Sequence, residues 1–107
     1  MFYNFEAGNK TYNLRLTTRS IVALEKQINC NPLMIFGNGD TVPTISVMVS
    51  VLHSSLQQYQ HGITLDAAYD IFDEYLADGH AVTDFIQVIL EIYKVSGLIK
   101  EDKNEKN

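Results

Sequence analysis

Apolar and polar residues alternate over the first sixteen positions and then switch to a helical period. Phe2-Tyr3-Asn4-Phe5-Glu6 is rich in aromatics, and from Lys10 to Leu16 the residues Tyr12, Leu14 and Leu16 fall on one face. Between the two runs, Ala7-Gly8-Asn9 supplies residues that tolerate positive φ, as tight hairpin turns require. The pattern predicts a β-hairpin. A lone two-stranded ribbon is marginal in water, so its apolar face must lie on helices.

Four helices are predicted after it. Thr17 or Thr18 caps the first, with Ile21, Leu24 and Ile28 as its stripe and Asn29 as a left-handed stop before Asn31-Pro32. Leu33-Met34-Ile35-Phe36 reads as a short apolar plug, and Gly37-Asn38-Gly39-Asp40 as a loop. The second helix is expected near Pro43 with Thr41 as cap, burying Ile45, Met48, Val49, Leu52 and Leu56, with Val47 and Val51 widening the stripe. Gly62 stops the chain after it. Thr64 caps a third helix through about Ala77, with Leu65, Ala68, Tyr69, Phe72, Tyr75 and Leu76 inward. The opposite face carries Asp66, Asp70, Asp73 and Glu74. A fourth helix runs from about Ala81 to Ser96, with Val82, Phe85, Ile86, Ile89, Leu90 and Tyr93 inward, and Gly97 ends it. Leu98-Ile99 folds back on its last turn. The expected fold is α+β and mainly α: an N-terminal hairpin packed on about four helices. Residues 1–99 form one domain, and the polar stretch 100–107 is expected to be disordered.

Composition changes this picture little. A chain of 107 residues, 46% apolar and 20% charged, is an ordinary single globular domain. No apolar run approaches the ~20 residues of a membrane span. The N-terminus lacks the pattern of a signal peptide, and the lone Cys30 has no internal partner, which together suggest the cytoplasm. Charge says more. The net charge of −5 argues against nucleic acid, because phosphates need Lys and Arg. No Lys or Arg occurs between Lys26 and Lys94, so a mildly basic end (Arg15, Arg19, Lys26) adjoins an acidic body.

No residue constellation suits catalysis, a metal or a cofactor. His53, His61 and His80 lack the i, i+4 spacing that puts two ligands on one helical face, and Cys30 has no Cys beside it. Asp66, Asp70 and Asp73 share a face, but it lies opposite the apolar stripe, whereas carboxylate-bridged metal sites point into a bundle and add His at i+3. Ser54 and Ser55 are adjacent to His53 on one helix and do not face it. Gly37-Asn38-Gly39 lacks the Lys of a phosphate loop. A non-enzymatic, protein-binding role remains. Tyr3, Tyr59, Leu98 and Ile99 are the candidate partner-binding residues, since their positions are the least clearly internal and aromatics are enriched in interface centres.

One run in the first third carries a resemblance. Tyr12-x-Leu14-Arg15-Leu16-Thr17-Thr18-Arg19-x-Ile21-x-Ala23-Leu24-Glu25-Lys26 resembles the opening of siphophage and prophage tail assembly chaperones, the small tail chaperones of Gram-positive phages and gene transfer agents. Asn31-Pro32-Leu33 matches their Asn-Pro turn, Ile63-Thr64-Leu65-Asp66 their third helix start, and Ser96-Gly97 their last helix end. The order of elements agrees over nearly the whole chain. The second helix departs from the family in being Val/Ser-rich without Trp. The resemblance implies binding of the tape measure protein during tail assembly, with tail tube subunits as further partners. It also implies residence in the host cytoplasm and absence from the mature virion. Two other binding roles fit an acidic helical domain: an adaptor or anti-repressor-like module that mimics nucleic acid, and a structural head–tail connector.

Overall fold

The computed structural model describes residues 1–100. Strands β1 (Tyr3–Ala7) and β2 (Lys10–Leu14) form an antiparallel hairpin in which Tyr3 faces Leu14, Phe5 faces Tyr12 and Ala7 faces Lys10. Gly8 (φ 58°) and Asn9 (φ 68°) make the two-residue turn, both left-handed, which matches the twist of the flanking strands. Helices α1 (Thr18–Ile28), α2 (Ile45–Leu56), α3 (Leu65–Ala77) and α4 (Asp84–Ser96) follow, with a 3-10 turn at Pro32–Met34 between α1 and α2. The α+β, mainly α architecture is as expected. Residues 101–107, most of the stretch expected to be disordered, lie outside the described residues.

Local chemistry sets the helix ends. Thr17 forms a capping box with Ser20: its hydroxyl accepts the Ser20 N–H at 3.2 Å, and the Ser20 hydroxyl accepts the Thr17 N–H at 2.6 Å. Asn29 closes α1 at φ 58°. Thr64 caps α3 by accepting the Ala67 N–H at 3.1 Å. Two starts differ from expectation. Thr44, not Thr41, caps α2 by accepting the Val47 N–H at 3.2 Å; Pro43 precedes the cap and is buried. α4 begins three residues later than expected. Asp84, Phe85 and Ile86 donate to the carbonyls of Ala81, Val82 and Thr83, three residues back, and these are turn bonds rather than α-helical ones.

The core forms where the hairpin lies on the helices. Phe5 of β1 packs edge-on against Phe85 of α4 (5.8 Å) and at a tilt against Tyr75 of α3 (5.0 Å), while Phe72 meets Phe85 at 5.1 Å. α2 occupies the centre and touches β2, α1, α3 and α4. Eight of its twelve residues are therefore buried, more than one stripe can supply. Ser50, Ser54 and Ser55 are among them, and their small size lets neighbours approach closely. Ser55 is fully buried: its hydroxyl bonds the Leu52 carbonyl (3.0 Å) and its own carbonyl accepts the Arg15 N–H (2.9 Å), fastening the end of the hairpin to α2.

Several apolar residues expected inside are not. Ile45 (49% exposed) and Leu65 (36%) are the first residues of their helices and Tyr69 (39%) lies one turn into α3, and all three sit at or just past the edge of their buried faces. In the plug, Pro32 and Ile35 are buried but Leu33 and Met34 point outward, because a 3-10 turn cannot aim four consecutive side chains at one core. Among the described residues no helix is long and apolar enough to cross a membrane.

Candidate functional site

The connection from the 3-10 turn to α2 is held by turns, and it shapes a concave apolar surface with walls from separate parts of the chain. Asn31 accepts the Leu33 N–H on its side chain at 2.9 Å, starting the turn. The Tyr93 hydroxyl of α4 then donates to the Pro32 carbonyl at 2.8 Å and pins the turn from inside. Gly37 donates to Met34 O (3.0 Å), and both Gly39 (2.9 Å) and Thr41 (3.2 Å) donate to Phe36 O. The path needs left-handed backbone at Gly37 (φ 58°), where a Cβ would also stand 2.7 Å from the Thr41 hydroxyl.

This coiled connection leaves a groove of about 450 Å³ against α4, lined by Phe36, Gly39, Asp40, Thr41, Val42, Ile86 and Leu90. Ile86 and Leu90 are four apart and so stack on one face of α4. Asp40 is the one ionisable lining residue. Four of the ten exposed large apolar side chains (Leu33, Met34, Val42 and Ile45) fall in this connection or at the start of α2. Exposed apolar side chains gathered in one segment mark an interaction surface more than scattered ones do. A larger depression of about 780 Å³ beside α1 is lined by Thr17, Thr18, Arg19, Val22 and Gln58, with Val22 its one apolar residue.

The residues singled out from sequence sit elsewhere. Tyr3 is half-buried in β1, and burial, with Glu91 adding to it, pushes its hydroxyl above the usual range. Leu98 and Ile99 are half-buried against the core, folded back as expected, with the Leu98 N–H on the Tyr93 carbonyl (3.0 Å). Tyr59 alone of the four is exposed (40%), edge-on to Phe2 at 5.2 Å. The groove was missed although α4 carried a signal for it. Phe85, Ile86, Val88, Ile89, Leu90, Ile92 and Tyr93 wrap more of the helix than one core-facing stripe can cover, so some must face out.

The polar groups are arranged as surface and as packing. Asp66, Asp70 and Asp73 are exposed. Glu74 lies over the hairpin turn, and Asp78 accepts the Gly8 N–H at 2.9 Å. Among the described residues no three of His, Cys, Asp and Glu gather as a metal site. His80 stacks on Tyr75, with ring centroids 4.1 Å apart, and stands 3.9 Å from Asp84. Burial first, then Asp84 and Tyr3, push the Tyr75 hydroxyl up to about 12. Burial pushes Tyr93 up further, with a smaller contribution from Cys30. Both phenols are thereby kept neutral.

Comparison with curated proteins and with solved structures finds no match. Residues 3–107 match the family described as "Family of unknown function (DUF6096)", and the chain belongs to that family.

Proposed function

We propose that the protein is a non-enzymatic tail assembly chaperone that holds amphipathic helical segments of the phage tape measure protein in the groove between the 36–42 connection and α4. The observation that carries the reading is this groove, apolar on both walls through Phe36, Val42, Ile86 and Leu90. The resemblance of the first helix and the Asn-Pro turn to tail chaperones supplies the identity of the partner.

The physics of the encounter is simple. A long helix bearing an apolar stripe aggregates in water unless the stripe is covered, and its i, i+3, i+4 and i+7 side chains fit a groove of this kind. A groove of about 450 Å³ takes only a few side chains, which suits a contact that holds and then releases. Release is what assembly requires when tube subunits replace the chaperone. The acidic face of α3, with Asp66, Asp70 and Asp73 exposed, keeps the loaded complex soluble. The protein works in the host cytoplasm and leaves before the virion matures.

Co-expression with the tape measure protein of the same locus, followed by co-purification, tests this. Association is expected, with more tape measure in the soluble fraction. No association and unchanged solubility would sink the proposal. The exposed carboxylates favour a second reading, an acidic adaptor for a basic protein, which predicts binding that collapses as salt rises. A head–tail connector would instead be found in purified mature particles.

A further inference from the structure

β1 has one edge paired with β2 and another that nothing covers. β2 fixes the phase of the ladder. Asn13 turns its N–H and C=O outward to the Gln60 side-chain amide (2.8 and 3.0 Å), which closes that edge as a neighbouring strand would. Residues opposite one another in an antiparallel ladder turn the same way relative to their partner strand. Asn4, opposite Asn13, and Glu6, opposite Thr11, therefore present their N–H and C=O groups on the far edge of β1. Among the described residues no hydrogen bond reaches those groups. Only the turn end is closed, by Asp78 on the Gly8 N–H.

A groove of about 250 Å³ runs beside this open edge, between β1 and the side chains of Tyr75, His80 and Val88. Its surroundings are negative. Glu6 lies on the edge itself, Asp78 at the turn end, and Asp84 and Glu91 close enough for their charges to act on Tyr75 and Tyr3. Glu91 also pairs with Lys94 at 3.6 Å, so Glu6, Asp78 and Asp84 carry the net charge facing a visitor. Open edges are often guarded by Lys, Pro or a bulge, and β1 has none of the three; its guards are its five-residue length and the single charge of Glu6.

We propose that the free edge of β1 is a docking site for an extended, Lys- or Arg-bearing segment of a partner protein, which adds as a third strand through Asn4 and Glu6. Main-chain hydrogen bonds supply the grip, alternate side chains enter the groove, and the carboxylates select basic sequences. A second copy of this chain is a poorer occupant, because edge-to-edge pairing sets each acidic flank against its duplicate. The site lies on β1 and is independent of the proposed tape measure contact, so either can fail without the other.

The test is a titration of the 15N-labelled full chain with a synthetic octapeptide that alternates Lys or Arg with Val. Saturable shifts are expected at the Asn4 and Glu6 amides. Affinity should fall at least tenfold when alternate peptide nitrogens are methylated, which removes ladder donors, and when Glu replaces the basic residues. Asn4→Pro removes an outward N–H without touching the β2 ladder and should weaken binding similarly; Glu6→Lys, which leaves the backbone unchanged, should do so by charge. Three results overturn the proposal: no saturable shift at these amides, equal binding of the methylated peptide, or shifts confined to the Phe36–Leu90 groove. Concentration-dependent shifts of the same amides without peptide, with dimer in sedimentation, would assign the edge to a second copy and equally overturn it.

Discussion

The Tyr93 hydroxyl donates to the Pro32 carbonyl across 2.8 Å, joining residues 61 positions apart at a buried site. This bond ties the start of the connection that walls the groove to the helix that forms its other wall. Tyr93→Phe leaves a buried carbonyl without its donor, which costs roughly 1–3 kcal/mol. Chemical denaturation should register that loss. Hydrogen exchange should also quicken at the Met34 and Gly37 amides, which the turn protects, more than in β1 or β2.

Gly8 occupies left-handed backbone, and a Cβ there would stand 2.6 Å from the Glu74 carboxylate. Gly8→Ala puts a side chain on left-handed backbone and should destabilise by about 1–2 kcal/mol. The Glu74 carboxylate is the far end of an exposed side chain and can swing aside, so the cost is mainly backbone strain. Thermal melts should show the loss for Gly8→Ala, and Glu74→Ala in the same chain should recover little of it; a large recovery would place the cost in the side-chain contact instead.

Alkaline pH should unfold the protein through its buried phenols. Tyr75 loses its proton at about 12 in the folded chain against its ordinary 10.0, because burial disfavours the phenolate and Asp84 and Tyr3 add to that. The folded state thus binds the proton more tightly than the unfolded state. Its stabilising effect is whole below pH 10 and is lost as pH rises towards 12. Tyr93 acts in the same sense. Denaturation midpoints should stay flat in this respect up to pH 10 and fall beyond it, and Tyr75→Phe should make the fall shallower.

Val42 is 57% exposed on the groove rim, so Val42→Asp should be tolerated by the fold. It places a charge against the apolar stripe of a bound helix and should weaken tape measure capture by tenfold or more. Val22→Asp, on an exposed position of α1, is the control. Equal capture by both variants would move the contact off the groove.

Where chemistry is local, the sequence was easy to read. Gly8-Asn9, Thr17, Asn29, Thr64 and Gly97 each act through their own backbone or a neighbour within a few positions, and each does what its residue type implies. Thr44 caps α2 in place of the expected Thr41, and Pro43 beside it is buried, an outcome of tertiary packing that the local pattern does not encode. Ser50, Ser54 and Ser55 of α2 are polar yet buried, because the helix is surrounded and small side chains fit where β2 and its neighbours approach. The groove and the open edge of β1 depend on which elements come to lie side by side. The surplus of apolar residues on α4 signals an outward apolar face, but no periodicity along one helix or strand says which element comes to lie beside it.

The position of α2 also bears on how the chain acquires its structure. Its twelve residues include Val47, Val49 and Val51, β-branched side chains that disfavour an isolated helix. Such a segment becomes helical only as β2, α1, α3 and α4 close around it. Helix formation and tertiary assembly are therefore expected to be coupled, and a fragment lacking α4 or the hairpin should lose the rest of the fold. The slowest-exchanging amides should lie in α2, and they should report global unfolding.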